Sequence, residues 1–249
     1  HYWPKGAGDP LPETAAGLVV GLADRLDSLV GLFAAGLAPT GSSDPFGLRR
    51  SALGIVQLLL GKETSLDLRI CLQAAAELQP IGIDEDVLLE VRVFIAQRLR
   101  GVLRDAGYRH DVVDAVLAVQ GHDPYHAQQF TAQLADWTAR EDWDQILDAY
   151  ARCVRMLSNE HPESDVNEAE FIEEAERELC GAVPPLASFS SVDDFLAMFA
   201  SIVPIITRFF DEVLVMDEDL DVRANRLALV QRVGTLADGI IDLSKLDGF

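Results

Sequence analysis

The chain has 249 residues, of which 49% are hydrophobic, and this composition is sufficient for buried cores in one to three compact units. Its 20 basic and 41 acidic residues give a net charge of -21, which disfavours a general nucleic-acid-binding protein because phosphate contacts require Lys and Arg. The charge is uneven: residues 1–110 contain 11 basic and 13 acidic residues, whereas residues 111–249 contain 9 and 28. An RNA-binding surface in the second part would therefore be a local basic patch on an acidic body.

The three cysteines, Cys71, Cys153 and Cys180, are isolated and odd in number. This pattern is typical of reduced cysteines in a cytoplasmic protein, and it disfavours a disulfide framework or a zinc site. The sequence has no window of about 18 uninterrupted apolar residues, so we predict no transmembrane span. The first residues lack both an initiator Met and the pattern of a signal peptide, and we expect the chain to be part of a longer protein.

Helix signals are dense in the first half of the chain. Thr14 is a suitable cap for a helix that ends near Gly36 and carries apolar side chains at spacings of three and four. Asp44-Pro45 predicts the start of a second helix, which ends near Gly61. Further helices are predicted between Ser65 and Pro80, between Asp84 and Gly107, over residues 110–121, and from Asp123-Pro124 onward.

The second half begins with a predicted amphipathic helix over residues 142–158. Residues 160–178 contain nine acidic residues and one Arg. This composition predicts a solvated loop followed by a surface helix that begins near Asn167.

Pro184-Pro185 interrupts the next part of the chain. The strongly apolar residues 195–210 are predicted to be buried despite Pro204, and a last helix is predicted over 219–246. Strand signals are few throughout. The predicted fold class is therefore all-α, made of helical bundles.

Catalytic motifs are not apparent. Thr40-Gly41-Ser42 superficially suggests a phosphate-binding loop, but it lacks the GxxxxGK[ST] pattern and no strand is predicted before it, so we interpret it as a turn. No nucleophile elbow, pair of His ligands or Cys-His arrangement is visible. We therefore predict no catalytic residues in this chain.

Three segments carry a family resemblance. Residues 21–59 contain an Ala-Asp-Arg-Leu-Asp helix, a Pro-Thr-Gly turn and an Asp-Pro-Phe-Gly-Leu-Arg-Arg helix, and residues 111–119 have the sequence DVVDAVLAV. Residues 209–233 are similar to the end of the DALR-type anticodon-binding domain of arginyl- and glycyl-type synthetases. The first segment resembles specifically the β-subunit of bacterial glycyl-tRNA synthetase, whereas the third alone would leave arginyl-tRNA synthetase open. Their order and spacing cover nearly the whole chain.

The resemblance implies a domain organisation and a function. We expect the C-terminal part of an HD-like helical domain over 1–60, a helical connector over 61–140 and a DALR-type anticodon-binding bundle over 141–249. The parent enzyme of the family is an α2β2 ligase that joins glycine to its tRNA, using ATP and magnesium at the α-subunit. The expected partners are the tRNA for glycine, the α-subunit and the rest of the β-subunit, with no membrane and no DNA. The chain itself is expected to hold no cofactor and no metal, and to be cytoplasmic.

Clustered arginines are the candidate tRNA-binding residues of the second part. Arginine can bind phosphates, hydrogen-bond to base edges and stack on bases, and all three are used to recognise single-stranded loops. For each arginine the alternative is a salt bridge within the domain. Asn225 could contact a base edge, but we interpret it as a plain helix-surface residue, and we interpret Phe209, Phe210, Val213 and Leu214 as core. The candidates are Arg152, Arg155, Arg208, Arg223 and Arg226.

Two other interpretations remain open. The acidic charge favours a purely structural module that serves assembly of the synthetase with little RNA contact. The HD-like resemblance would place Asp24 at a metal-binding position, but one or two carboxylates on a single helix do not complete a metal site, so Asp24 and Asp27 are predicted to be structural. Arg49 and Arg50 either contact tRNA or hold the preceding loop and those carboxylates.

Overall fold

A computed structural model describes residues 3–4, 8–157, 165–184 and 189–249. These residues form ten α-helices and no β-strand, which confirms the all-α prediction. None of the helices in these parts is long and apolar enough to cross a membrane. The helices are α1 (Ala15–Ala34), α2 (Leu48–Gly61), α3 (Leu68–Glu77), α4 (Glu85–Asp105), α5 (His110–Gln120), α6 (Pro124–Thr138), α7 (Trp143–Leu157), α8 (Glu174–Ala182), α9 (Val192–Glu212) and α10 (Leu220–Gly234).

The chain divides into two compact units, His1–Ala132 and Gln133–Phe249, which we call unit 1 and unit 2. The division falls within α6. The three-part organisation over 1–60, 61–140 and 141–249 stays a prediction.

Unit 1 is built around α1, which packs against α2, α3 and α4. Thr14 caps α1 as predicted, since its hydroxyl accepts a hydrogen bond of 3.1 Å from the amide of Gly17. The predicted apolar stripe faces the interior, where Leu29 and Val30 are fully buried. The local sequence pattern therefore determines which face of α1 forms the core of this unit.

The start of α2 differs from the prediction that Asp44-Pro45 forms its first turn. The helix begins three residues after Pro45, at Leu48, because Gly47 adopts a left-handed conformation with φ of 69°. Asp44 still acts on the helix end. Its two carboxylate oxygens accept hydrogen bonds of 2.8 and 3.0 Å from the amides of Leu48 and Arg49.

The other predicted helices of unit 1 are confirmed with small shifts in their ends. Asp123 caps α6 by accepting hydrogen bonds from the amides of Tyr125 and His126. The cap of α3 is Asp67 and not Ser65, whose hydroxyl instead donates a hydrogen bond of 2.6 Å to the Asp123 carboxylate. Ser65 therefore supports the start of α6 through a contact that is distant in sequence.

Unit 2 has an aromatic core. In this unit α7 packs against α9 and α10, and α8 packs against the same two helices. Phe195, Phe199 and Phe209 of α9 are fully buried, and Tyr150 of α7 makes edge contacts with the first two. The predicted burial of residues 195–210 is confirmed for one face of α9 only, since Pro204, Thr207 and Arg208 are exposed, and the helix continues through Pro204.

Two helix boundaries in unit 2 were predicted incorrectly. The acidic segment does not form a helix from Asn167, which caps only a short 3₁₀ turn, and α8 begins at Glu174. The last helix ends at Gly234 and not near Leu246, and 3₁₀ turns follow it. The Tyr150 hydroxyl donates a hydrogen bond of 2.8 Å to the Gly234 carbonyl, which satisfies an acceptor at that helix end. Residue 185 of the predicted Pro184-Pro185 break lies outside the described residues.

Candidate nucleic-acid interface

Arg152 lies on the exposed side of α7 and packs on an aromatic ring. Its guanidinium carbon lies 4.3 Å from the centroid of the Phe210 ring, a distance typical of a cation–π contact. Its Nη2 donates a hydrogen bond of 3.4 Å to the Phe210 carbonyl, and its Nη1 lies 4.0 Å from an Asp211 carboxylate oxygen. The Arg152 side chain is still 44% exposed, so the guanidinium plane is supported on one side and accessible from solvent.

Arg155, one turn further along α7, is also exposed. Its guanidinium carbon lies 5.7 Å from the centroid of the Phe249 ring. That ring is packed in turn against Tyr150, with 6.3 Å between the ring centroids. The structure thus places Arg152 and Arg155 on one side of α7, each beside an aromatic ring.

Arg208 lies on the surface of α9 between two carboxylates. It pairs with Glu178 of α8 and, at 2.9 Å, with Glu212 on its own helix. The hydrogen bond to Glu212 raises the pKa of Arg208, and the charges of Glu212 and Glu178 act in the same direction. A phosphate that binds Arg208 would have to compete with both carboxylates.

Arg223 and Arg226 of α10 were predicted to share a face, but their environments differ. Arg223 is half-buried, and its Nε donates a hydrogen bond of 3.0 Å to the Asp217 carbonyl. Arg226 is only 4% exposed and pairs with Glu176 and Asp217, each at 2.8 Å, while its Nη1 also donates to the Leu214 carbonyl. Both side chains therefore hold the segment before α10, and the Arg226 guanidinium is enclosed by groups of unit 2.

Asn225 is not the plain surface residue that the sequence suggested, because it is only 4% exposed. Its side-chain oxygen accepts a hydrogen bond of 2.7 Å from the amide of Asn167, and its side-chain nitrogen donates one of 3.0 Å to the carbonyl of the same residue. The contact joins residues 58 positions apart. It links α10 to the segment before α8, so the amide of Asn225 is used within the fold.

The aromatic and aliphatic residues at the end of α9 were all predicted to be core. Phe209 and Val213 are buried as expected. Phe210 is half-buried and carries Arg152 on its ring, and Leu214 is 67% exposed. The prediction is therefore wrong for Leu214, and Phe210 has an additional role as a support for a cation.

In unit 1, the two arginines at the start of α2, Arg49 and Arg50, have different environments. Arg49 donates hydrogen bonds to the carbonyls of Gly41 (2.6 Å) and Ser43 (3.3 Å), so it holds the preceding loop, as one of the two interpretations proposed. Arg50 is exposed and has no polar partner among the described residues. Neither arginine pairs with the carboxylates of α1.

The two carboxylates of α1 are exposed. Asp27 accepts a hydrogen bond of 2.6 Å from the Gln79 side chain and thereby joins α1 to the end of α3. Within the described residues, Asp24 belongs to no group of three potential metal ligands. The absence of a metal site stays a prediction.

A cavity of about 280 Å³ lies between α7 and α9, and we call it the α7–α9 cavity. Its lining includes Arg152 and Phe210 together with Gln145 and Asp148 of α7, which are not among the residues predicted from the sequence. A signal was present: residues 145, 148 and 152 recur at spacings of three and four, so they share a helix face. Nothing in the sequence showed that α9 would complete a cavity beside that face.

Comparisons with known proteins agree on one family. A family model described as glycyl-tRNA synthetase beta subunit matches residues 1–118. The chain is 35% identical, over 99% of its length, to the glycine–tRNA ligase beta subunit of Clostridioides difficile, and 38% identical, over its full length, to that of Acinetobacter baylyi. It is also 36% identical, over 99% of its length, to the chloroplastic/mitochondrial glycine–tRNA ligase 2 of Arabidopsis thaliana.

The matches extend over only part of these relatives. The chain covers 37% of each of the two beta subunits and 24% of the Arabidopsis protein. Together the comparisons support the interpretation of the chain as a segment of a glycyl-tRNA synthetase β-subunit. The division into HD-like and DALR-type parts stays a prediction.

Proposed function

We propose that this chain, as a segment of a glycyl-tRNA synthetase β-subunit, is a tRNA-binding part of the enzyme, and that unit 2 contacts the anticodon arm. The observation that carries the proposal is the pair of exposed arginines on α7, Arg152 and Arg155, each beside an aromatic ring. A guanidinium held in this way keeps its charge for phosphates and its plane for stacking on an unpaired base. Unit 2 contains 9 basic and 25 acidic residues, so such exposed cations form a local patch on an acidic surface.

The five candidate arginines have different parts in this proposal. Arg152 and Arg155 contact RNA directly, and Arg208 contributes a phosphate contact only in competition with Glu178 and Glu212. Arg223 and Arg226 hold the segment before α10, because the Nε of Arg223 donates to the Asp217 carbonyl and Arg226 pairs with Glu176 and Asp217. Their effect on RNA binding is therefore indirect.

The whole synthetase, in this proposal, is an aminoacyl-tRNA synthetase that attaches glycine to its tRNA with ATP. The ATP and its magnesium bind to the α-subunit. The partners of this chain are the tRNA for glycine, the α-subunit and the rest of the β-subunit. The chain contributes binding energy and orientation of the tRNA, while the chemical step takes place elsewhere.

Titration of labelled glycine tRNA at several salt concentrations, with the intact synthetase, tests the proposal. Each phosphate contact contributes roughly 0.7–0.9 to the slope of log affinity against log salt, so two to four contacts give a slope of about 2–4. Replacing Arg152, Arg155 or Arg208 by Ala is expected to lower the slope by about one where the lost contact is to a phosphate. A base contact would instead cost roughly 1–3 kcal/mol and reduce discrimination among anticodons.

Arg140 provides a matched control in unit 2. It also packs on an aromatic ring, 4.2 Å from that of Trp137, and it is exposed and paired with Asp142 before the start of α7. Arg140→Ala removes the same charge outside the proposed surface and should leave the slope and discrimination nearly unchanged. If the Arg152, Arg155 and Arg208 variants all behave like Arg140→Ala while remaining folded, the proposed RNA surface is wrong.

A second function, assembly of the synthetase with little RNA contact, is favoured by a separate observation. Leu214 and Leu220, on either side of the segment before α10, are 67% and 69% exposed, and such side chains are suited to contact with another subunit. Under this alternative, Leu220→Ser would weaken subunit association measured by analytical ultracentrifugation. The arginine variants would then leave tRNA affinity unchanged.

A further inference from the structure

The α7–α9 cavity combines an apolar floor with polar groups at its rim. Ile206 and Ala149 are buried in its floor, and the Phe210 ring with Arg152 on it forms one side. Its volume of about 280 Å³ has room for several water molecules or for one planar ring system, since a water molecule occupies roughly 30 Å³ in the liquid. The cavity opens on the surface that carries Arg152.

Two polar side chains at the rim are available to a ligand. Gln145 and Asp148 are exposed on α7, three residues apart and therefore on one face of the helix. Neither has a hydrogen-bond or ion-pair partner among the described residues, although Arg152 follows Asp148 by one turn. The rim thus presents an unpaired carboxylate and an unpaired amide beside a guanidinium plane.

This set of groups distinguishes between possible ligands. The carboxylate of Asp148 repels a phosphate, so the cavity is poorly suited to the RNA backbone even though Arg152 lies beside it. A nucleobase fits the set better: its ring can stack on the supported guanidinium plane, and its edge can donate hydrogen bonds to the carboxylate. The Gln145 amide both donates and accepts, and therefore tolerates several bases.

We propose that the α7–α9 cavity receives one unstacked base of the bound tRNA and that Asp148 selects a base with an exocyclic amino group. The inference rests on the proposed function, because it requires that unit 2 contacts the anticodon arm. An ionised carboxylate only accepts hydrogen bonds. Cytosine, adenine and guanine offer an amino group to it, whereas uracil presents carbonyl oxygens on both sides of its single ring N–H and would be repelled.

The test uses the intact synthetase and glycine tRNA transcripts with single base replacements in the anticodon loop. Each amino-bearing base is replaced in turn by an analogue without that group: cytosine by uracil, guanine by hypoxanthine, and adenine by unsubstituted purine. Dissociation constants are measured for the parent enzyme, for Asp148→Asn and for Asp144→Asn. Asp144 is an exposed residue of the same helix outside the cavity lining, so its replacement makes the same change of charge.

We expect the discrimination between an amino-bearing base and its analogue to change in only one variant, Asp148→Asn, and at only one position of the anticodon loop. At that position, loss of the amino group should weaken binding to the parent and to Asp144→Asn about tenfold, within the range for a specific base contact. With Asp148→Asn the difference should fall to less than about twofold, because a neutral amide accepts a hydrogen bond from the amino group more weakly than a carboxylate does and, where uracil replaces cytosine, can also donate to the carbonyl. A gain in tRNA affinity that comes only from the loss of one negative charge is common to Asp148→Asn and Asp144→Asn, so it does not affect the comparison between these two variants.

Two failures are distinguishable. If Asp148→Asn and Asp144→Asn discriminate alike at every position, while Arg152→Ala and Arg155→Ala weaken tRNA binding, the inference is overturned and the proposed function stands. If the Arg152, Arg155 and Arg208 variants to Ala all bind tRNA like the parent, the proposed RNA surface is wrong and both are overturned. Because Asp148 has no polar partner among the described residues, its replacement should not change the thermal unfolding midpoint, which is recorded for each variant.

Discussion

At the scale of single residues, the environment of a charge determines what it can do. Arg226 is enclosed in unit 2 and pairs with the buried carboxylate of Glu176 and with Asp217. Arg223, three residues earlier, is half-buried and makes one hydrogen bond to a carbonyl. A buried ion pair has a large desolvation cost, so removal of one partner leaves an uncompensated buried charge.

We therefore predict that Arg226→Ala lowers the free energy of unfolding by about 3–5 kcal/mol. The matched replacement Arg223→Ala should cost only about 1 kcal/mol, since it removes one hydrogen bond from a half-buried position. Urea denaturation of the two variants, followed by circular dichroism, gives both values. Equal and small losses would show that the Glu176 pair does not stabilise unit 2.

The cysteines are a second case in which environment decides chemistry at the residue scale. Burial raises the pKa of Cys153 to about 12, and it also raises the pKa of Cys71 and of Cys180. All three are free thiols. A thiol with a raised pKa is a poor nucleophile at neutral pH, so burial disfavours nucleophilic chemistry at these three cysteines.

At the scale of helices, the N-termini show how much a side-chain cap contributes. Asp44 accepts hydrogen bonds from the first two amides of α2, although it lies four residues before the first helical residue. Asp84 immediately precedes α4 but makes no side-chain hydrogen bond to that helix. The two residues are of the same type and differ in whether the carboxylate satisfies free amide groups.

We predict that Asp44→Ala destabilises the chain by about 1 kcal/mol, within the usual range for loss of a cap. Asp84→Ala should have a clearly smaller effect, limited to the interaction of its charge with the helix dipole. Thermal or urea unfolding of the two variants measures the difference. A larger loss for Asp84→Ala would contradict the assigned role of Asp44.

Helix α9 continues through Pro204 without a break, and its buried apolar face offsets the cost of the proline. Proline cannot donate a backbone hydrogen bond, and its ring normally disturbs the preceding turn. Pro204 is exposed, while Ile202 and Ile206 on either side are buried, so the apolar face of the helix remains intact. Burial of that face stabilises α9 sufficiently to tolerate the proline, which is why a strong apolar pattern was the better predictor here.

At the scale of the whole molecule, the net charge of -21 acts against the compact state while the proposed ligand is also an anion. Salt should therefore affect stability and tRNA binding in opposite directions. Added salt shortens the Debye length from about 10 Å at 0.1 M to roughly 3 Å at 1 M, which weakens repulsion among the acidic groups.

We predict that the thermal unfolding midpoint of the chain rises with NaCl over this range while the affinity of the intact synthetase for tRNA falls. Exposed ion pairs such as Arg140–Asp142 are also weakened by salt, but each contributes at most about 1 kcal/mol. Differential scanning fluorimetry and tRNA titration at matched salt concentrations provide the two measurements, with KCl as a check on ion-specific effects. A midpoint that decreases with both salts would contradict the prediction.

The sequence by itself determined the all-helical class and most helix positions, because those signals are local. Thr14, Asp84 and Asp123 lie just before helices that begin where predicted, and the spacing of apolar residues in α1 identified its buried face. A cap or a periodic stripe acts over one or two turns of chain, and this is the range over which a pattern can be recognised without knowledge of the tertiary structure.

The tertiary structure decided which polar residues are used within the fold and which remain available. Arg226 and Asn225 look like surface residues of α10, but both are buried by contacts with residues about 50 positions away. In the same way, Gln145 and Asp148 gain interest only because α9 lies beside them and closes a cavity. Helix periodicity shows which residues share a face, but the partner of that face is selected by the packing of the whole unit, where burial and hydrogen bonding of distant segments are satisfied together.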